Sequence, residues 1–424
     1  MTSLPATFPP AERRPTDWRA EAMQRRTRAR FASERRFRRL GLAAVLLSAA
    51  FLGFLVVAIA ANGVRGFQET RIALRLDFAT IPLDVTAPRL AGKGGALALA
   101  AAGLQDRVDG AARSAYGPDG AALLGERAWL TVRDAILTDP ALAGRDFTLA
   151  VPASTTLTAA RRGWASDDAA LLRVARSDAV TTGFDRGFLT RSDATEPGSV
   201  GIWGALKGSL LTLLVTIGLA FPIGVCAATY LEEFAPRNRW TDLIEVSINN
   251  LAAVPSIIFG LLGLAFFLGT LDMPRSAPVV GGLTLALMTM PIIIIAARAS
   301  LRGVPPSLRE AALGLGASRV QVVFHHVLPV ALPGILTGTI IGTARALGET
   351  APLLLIGMRA FIATPPSGLL DPATVLPVQV FLWSDEVSRG FVEKTSAAII
   401  VLLLLLLAMN GLAIYLRNRF DTRP

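Results

Sequence analysis

Two charged residues stand inside an apolar run of this chain. Arg345 and Glu349 are one helical turn apart in a segment reading Gly334-Ile335-Leu336-Thr337-Gly338-Thr339-Ile340-Ile341-Gly342-Thr343-Ala344-Arg345-Ala346-Leu347-Gly348-Glu349. Counted from Ala331, Arg345 lies roughly 21 Å along a helix that rises 1.5 Å per residue. A charge at such depth costs at least about 2.5–3.5 kcal/mol on insertion scales, so it normally has a partner and a purpose. Glu349 is the obvious partner. Two readings fit the pair. In one, Arg345 lines the path of an anion, its planar donors engaging two oxygens at once while Glu349 holds it in place. In the other, the two form a structural ion pair at an interface between subunits. Gly334, Gly338 and Gly342 recur every four residues as a close-packing stripe for a neighbouring helix. Helical spacing sets the charged pair near that same face, which predicts that both point into the protein.

A second stretch, 305–330, carries a different signal. Pro305-Pro306-Ser307-Leu308-Arg309-Glu310-Ala311-Ala312-Leu313-Gly314-Leu315-Gly316 predicts a short helix, with Ser307 as N-cap and Glu310 closing a capping box. Small residues, Ala311, Ala312, Gly314 and Gly316, give it a surface that other backbones can approach closely. A second helical stretch over 319–327 is expected to stop at Leu328-Pro329. Such a loop is shaped to dock into a groove on a partner and to pass rigid-body motion to the attached spans.

Other chemistries find little support. No Gly-rich phosphate-cradling loop followed by Lys-Ser/Thr occurs, so the chain is expected to bind no nucleotide and to power nothing alone. His325, His326 and scattered acids give no metal-ligand spacing, so no metal and no catalytic residue are expected. The lone Cys226, in an apolar run, reads as a small packing residue and excludes an intrachain disulfide. Net charge is +10 with a pI near 10.9, but eleven Arg fall within residues 1–39. A basic flank beside an apolar run is a topology signal rather than a nucleic-acid surface.

The elements that must position these residues are membrane spans. The 424 residues are 52% hydrophobic and 17% charged, with mean hydropathy +0.50, where a soluble domain carries about a quarter charged. Apolar runs near Leu40–Ala61, Leu206–Leu231, Ile244–Leu271, Val279–Ser300, Ala331–Met358 and Ser396–Leu416 are each long enough to cross a bilayer. The first is too long for a signal-peptide core and reads as a retained anchor. Basic flanks place the leader 1–39, the loops with Arg237 and Arg302, and the tail with Arg423 inside, and 63–203 outside. In that outer segment Ile72, Leu74, Leu76 and Phe78 alternate with polar or small residues, as on a half-buried strand. Ala-rich stretches 96–115, 120–137 and 166–177 favour helix, so a small α/β domain is expected. The Arg-rich leader 11–39 reads equally as a helix on an anionic membrane surface or as a solvated tail. The predicted fold is all-α and polytopic: a leader 1–39, a first transmembrane helix 40–62, an inserted α/β domain 63–203, and a core 204–424 of five further transmembrane helices.

Glu310-Ala311-Ala312, then Gly316, then Leu328-Pro329 resembles the coupling loop of ABC importer permeases, with His326 where an apolar residue is usual. Arg345-Ala346-Leu347-Gly348-Glu349-Thr350, followed by Ala351-Pro352-Leu353-Leu354, resembles the PstA-type subunit of phosphate importers. Leu376-Pro377-Val378-Gln379-Val380-Phe381-Leu382-Trp383 is similar to a segment before the last span in the same proteins. The resemblance covers roughly residues 200–424. It implies a non-catalytic permease in the cytoplasmic membrane, both termini inside. Its partners would be a sister permease, two ATPase subunits that use the ATP, and an external phosphate-binding protein. It also implies Arg345, Glu349 and Thr350 on the substrate path. Glu310, Ala311, Ala312, Gly316, Leu328 and Pro329 would then face the ATPase. A permease for sulfate or molybdate and the PstC-type sister are the alternatives. A membrane sensor would need a sizeable output domain, and the stretch after Leu416 is short. A membrane enzyme would need an acid–base or metal centre near the interface. Relatives often carry an Arg shortly after the Pro of the fourth span; here Pro291 is followed by four Ile, and Arg298 is the first basic residue.

Overall fold

A computed structural model of the chain describes residues 21–79, 83, 85, 90, 94–164 and 168–420. The chain divides into two compact units, residues 1–58 and 59–424. The described residues of the first, 21–58, belong to α1 (Glu21–Gly66), one continuous helix whose Arg-rich beginning runs without a break into the apolar stretch. Residues 11–20 of the leader, like Arg423, lie outside the described residues. Leu42, Val45, Phe51 and Leu52 are all more than half exposed along α1.

The second unit begins with a small mixed α/β region. Strand β1 (Gln68–Asp77) lies at the centre of a three-stranded antiparallel sheet, between β2 (Asp146–Pro152) and β3 (Val180–Phe184). Ile72 stands opposite both Val151 and Val180. Alternation along β1 sends Ile72, Leu74 and Leu76 to one fully buried face while Arg75 and Asp77 stay exposed. Over the strands and between them run α2 (Gly95–Ala101), α3 (Leu104–Tyr116), α4 (Ala128–Thr138), α5 (Thr155–Arg162) and α6 (Ala169–Arg176). Leu104, Val108, Val132, Ile136 and Leu157 from three of these helices close the core. The Tyr116 hydroxyl donates to the Ala73 carbonyl and ties α3 to the sheet.

The rest is helical. It comprises α7 (Trp203–Thr229, continued by a π-turn Tyr230–Phe234), α8 (Arg239–Ala252), α9 (Ser256–Gly263, continued by a π-turn to Thr270) and α10 (Pro278–Arg302). After these come α11 (Pro306–Gly314), α12 (Arg319–Val322), α13 (Leu328–Gly348), α14 (Ala351–Leu355), α15 (Leu376–Ser384) and α16 (Arg389–Phe420). Among the described residues five helices are long and apolar enough to cross a membrane, or six if the bent pair α8–α9 is one span. The run Ile244–Leu271, long enough to cross a bilayer, is not one continuous helix, because α8 and α9 meet at 99°. Val254 precedes Pro255, and the proline ring drives its predecessor out of the helical region. Pro255 itself is extended (φ −56°, ψ 137°).

Small residues set the closest approaches. Gly224 on α7 faces Ile293 on α10, and Gly282 on α10 lies against Val215 on α7. A Cβ at Gly208 would fall 2.0 Å from the Thr374 carbonyl oxygen, whereas one at Gly218, on the same helix, would meet nothing within 4 Å. Backbone cannot yield as a flexible side chain does. Gly208→Val should therefore lower the thermal midpoint of the detergent-extracted protein by the equivalent of about 1–3 kcal/mol or more. Gly218→Val should leave it unchanged, and equal midpoints for the two variants would refute this packing account.

The α/β region is fastened to the helices by charge as well as by apolar contact. Asp185, after β3, accepts from Lys394 Nζ on α16 (3.0 Å) and from Arg191 (2.8 Å). Both Asp185 and Lys394 are buried, and the ammonium lies 4.7 Å from the Phe188 ring centroid. Arg162 pairs with Glu393 one residue earlier on α16. Trp383 donates its indole N–H to Asp193 (3.0 Å), and burial pushes that carboxyl above its ordinary pKa. Phe188, Ile202, Leu376, Trp383 and Phe391 form the apolar part of the same seam.

Candidate functional site

The helix that carries Arg345 stops early. α13 ends at Gly348, Glu349 turns out of the helix (φ −79°, ψ 120°), and Thr350 precedes the short α14. The expected run to Met358 is thus interrupted. Gly342 faces Thr289, and Ala346 packs in one cluster with Leu285 and Met288, so the end of α13 lies beside the third turn of α10 and the start of its fourth. At 1.5 Å per residue that is roughly 10–17 Å short of the Pro278 end of α10. Backbone that leaves a helix at such depth is tolerated where protein covers it or where it lines a wet cavity.

The three glycines of the stripe all face α10: Gly334 against Ser300, Gly338 against Ala296, Gly342 against Thr289. Arg345 does not follow them inward. Ala346 and Leu347, both buried, fill the contact at that level. The Arg345 side chain is 47% exposed on this chain and Glu349 19%, and a loose contact of 3.4 Å from Arg345 Nε to Glu349 Oε1 joins them. Helical spacing predicts that both residues point into the protein; on this chain Arg345 stays half exposed. Its guanidinium keeps most of its donors free, on a face this chain leaves open, next to the helix break.

The 305–330 loop folds as α11, a turn, and α12 leading into α13. Its caps differ from the expected ones. Pro305 stands at the N-cap of α11 with no side-chain cap, so Ser307 and Glu310 form no capping box. The box occurs one helix later, where Ser318 Oγ accepts from Gln321 N and Gln321 Oε1 accepts from Ser318 N. Leu328-Pro329 does not stop the helix either. A π-turn over Val323–Val327 shifts the hydrogen-bond register ahead of the proline, which has no N–H to give, and the chain passes straight into α13. Gly316 has φ +88°, and its N–H bonds to Leu313 O (2.9 Å), a left-handed helix ending that disfavours any side chain. Ala312 is buried under the loop, while Glu310, Ala311, Pro329 and His326 are exposed and Leu328 is half-buried. Cys226, expected to be packed, is exposed on α7.

Sequence reasoning missed the ion pairs that hold this loop. Arg309 Nη2 donates to Glu233 Oε1 (2.6 Å) and to Leu301 O (2.9 Å), and its Nη1 to Val304 O (2.7 Å). Arg302 Nε donates to Glu232 Oε2 (2.9 Å), and Arg298 reaches both Glu232 (3.4 Å) and Glu245 (2.7 Å). Arg309 thereby bolts the loop helix α11 to the ends of α7 and α10, while Arg298 and Arg302 tie α10 to the end of α7 and to the middle of α8. The available signal was the adjacent acids Glu232-Glu233 closing one apolar run, with Arg298 and Arg302 one turn apart closing another. Arg298 is a paired charge of this network. Among the described residues no three His, Cys, Asp or Glu side chains gather as a metal site.

Two family models match the chain. The family of binding-protein-dependent transport system inner membrane components matches residues 220–422, and a domain of unknown function, DUF3333, matches residues 24–170. The phosphate transport system permease protein PstA of Yersinia pestis is 32% identical over 215 residues, 50% of this chain and 71% of that one. The chain belongs to the PstA-type permeases. The probable ABC transporter permease protein YqgI of Bacillus subtilis is 32% identical over 204 residues, 45% of this chain and 68% of its own. PstA 1 of Mycobacterium tuberculosis is 36% identical over 156 residues, and there the match spans only 51% of the relative. Among solved structures, a chain of the MetNI methionine ABC transporter aligns at 19% identity, over 52% of this chain and 98% of its own, with TM-score 0.40. As a PstA-type permease with several apolar helices, the protein is a multi-pass inner-membrane protein.

Proposed function

We propose that this PstA-type permease is the transmembrane subunit of an ATP-driven importer that moves inorganic phosphate inward. The observation that carries the reading is Arg345, a half-exposed guanidinium beside a helix break well below the end of its neighbour. Phosphate presents several oxygens at once, and a planar fork of donors matches two of them. Glu349 bonds one edge of the fork and leaves the rest to an anion. A site of this openness binds transiently, as a conducting path requires, because a tight deep site would trap its ion.

The chain works with a sister permease, two ATPase subunits and an external phosphate-binding protein, with both termini and the 305–330 loop on the cytoplasmic side. The α/β region between α1 and α7 then lies outside, and α8–α9 counts as one broken span in a set of six. The chain itself holds no ATP. Closure of the ATPase pair would push on α11, and the ion pairs from Arg309, Arg302 and Arg298 would carry that push into α7, α8 and α10 as a rigid-body movement.

The test is radiolabelled phosphate uptake at low external phosphate, in cells lacking their own permease and expressing this chain with its neighbouring subunits. Uptake that persists in excess sulfate is the expected result. An assembled complex that moves sulfate or molybdate and no phosphate would overturn the substrate.

A further inference from the structure

Where the α/β region meets α16, the molecule forms a partly open cavity of about 270 Å³, lined among others by Arg127, Thr155, Trp164, Arg389 and Gly390. A second cavity of about 290 Å³ adjoins it, and Glu69, Arg127, Pro152 and Asp185 line both. The charges around this space do not cancel. Glu69 is held by Arg71 (2.9 Å), Asp134 by Arg133 (2.7 Å), Asp185 by Arg191 and Lys394, and Glu393 by Arg162. Glu196 also lines the space; burial and then the nearby Glu126 raise its carboxyl above its ordinary pKa. That leaves the guanidinium of Arg127 without a side-chain partner among the described residues. Arg389 has only a long bond to the Trp164 carbonyl (3.5 Å). Burial and then the neighbouring Arg191 disfavour the charge of Arg127; Asp134 and Glu69 offset this only in part, and an anion would relieve the rest. The first turn of α16, a helix of 32 residues, also lines the space with its positive dipole end.

We propose that this cavity is a binding site for a small oxyanion, held between Arg127 of the α/β region and the first turn of α16. The volume corresponds to roughly nine waters, room for a tetrahedral or carboxylate anion with part of its hydration. An occupant would touch both the α/β region and a membrane-crossing helix, so its arrival would stiffen the seam between them. The site is separate from Arg345 and does not depend on the transport reading.

The test is equilibrium dialysis of labelled inorganic phosphate against the full chain, purified with its co-expressed subunits in lipid nanodiscs. Saturable binding is expected in the wild type. Loss of a charged hydrogen-bond partner should weaken it roughly ten- to hundredfold in Arg127→Gln, and Arg127→Lys should recover part of it. Arg345→Gln should keep the site. Arg127→Gln removes an unmatched, part-buried charge, so its thermal midpoint should equal or exceed the wild type's. Unchanged binding in Arg127→Gln, or no saturable binding in the wild type, would overturn the proposal. Failed phosphate uptake with Arg127-dependent binding intact would sink the transport reading alone.

Discussion

Arg345→Gln should cut phosphate uptake roughly ten- to hundredfold while the protein stays in the membrane at its normal level. The estimate rests on losing a charge-assisted hydrogen bond to the anion, worth about 1.5–3 kcal/mol, and on the tenfold change that each 1.4 kcal/mol brings. Folding should be spared. The guanidinium is half exposed, its one partner sits at 3.4 Å, and the buried contacts at that level belong to Ala346 and Leu347. Arg345→Lys, which keeps the charge and loses the fork, should fall between the two. Uptake has to be compared at matched membrane abundance, measured by immunoblot. A variant that transports at the wild-type rate would make the pair with Glu349 structural and send the anion elsewhere.

The second large effect is expected at Arg309. Arg309→Ala should leave the complex assembled yet lower uptake about tenfold, because it releases α11 from Glu233 and from the Leu301 and Val304 carbonyls together. Charged hydrogen bonds of this kind contribute about 1.5–3 kcal/mol each, and the Glu233 side chain left behind is only 11% exposed. Part of any loss could therefore be instability. The double variant Arg309→Met with Glu233→Gln removes both charges and separates the causes. It should regain the thermal midpoint and remain poor at uptake. The decisive readout is ATP hydrolysis by the reconstituted complex beside transport. Hydrolysis that continues without transport is the expected signature of a broken linkage, and tight coupling in the double variant would refute it.

Much of this architecture was legible in the sequence, for stated physical reasons. Apolar runs announce helices that cross a membrane, and all six runs hold helix, because lipid leaves the backbone no other partner. β1 was visible because its buried face repeats every second residue; β3, Val180-Thr181-Thr182-Gly183-Phe184, is too short and polar to show such a period. The breaks were harder. The apolar run resumes after Val254-Pro255 and after Gly348-Glu349-Thr350, so its overall length hides where each helix ends. At the loop, Ser307 matched a capping pattern, yet Pro305 took the N-cap position, and local rules could not decide between them. The ion pairs lay furthest from reach. Glu232 and Arg298 are 66 residues apart and Glu233 and Arg309 are 76 apart, distances that only the packing of α7 on α10 closes.

The buried Asp185–Lys394 pair also constrains how this architecture can have arisen. Lys394 sits on a helix that belongs to the membrane core, while its counter-charge comes from the α/β region; the buried ammonium is not tolerable without Asp185, whereas Asp185 keeps Arg191 as a second partner. A lineage that shed the region between α1 and α7 would strand an ammonium at the head of its last helix unless that position changed too. Gain or loss of the region is therefore a two-site event. An ancestor with a neutral residue at position 394 could have accepted the extra domain first and acquired the lysine afterwards, once Asp185 was there to meet it.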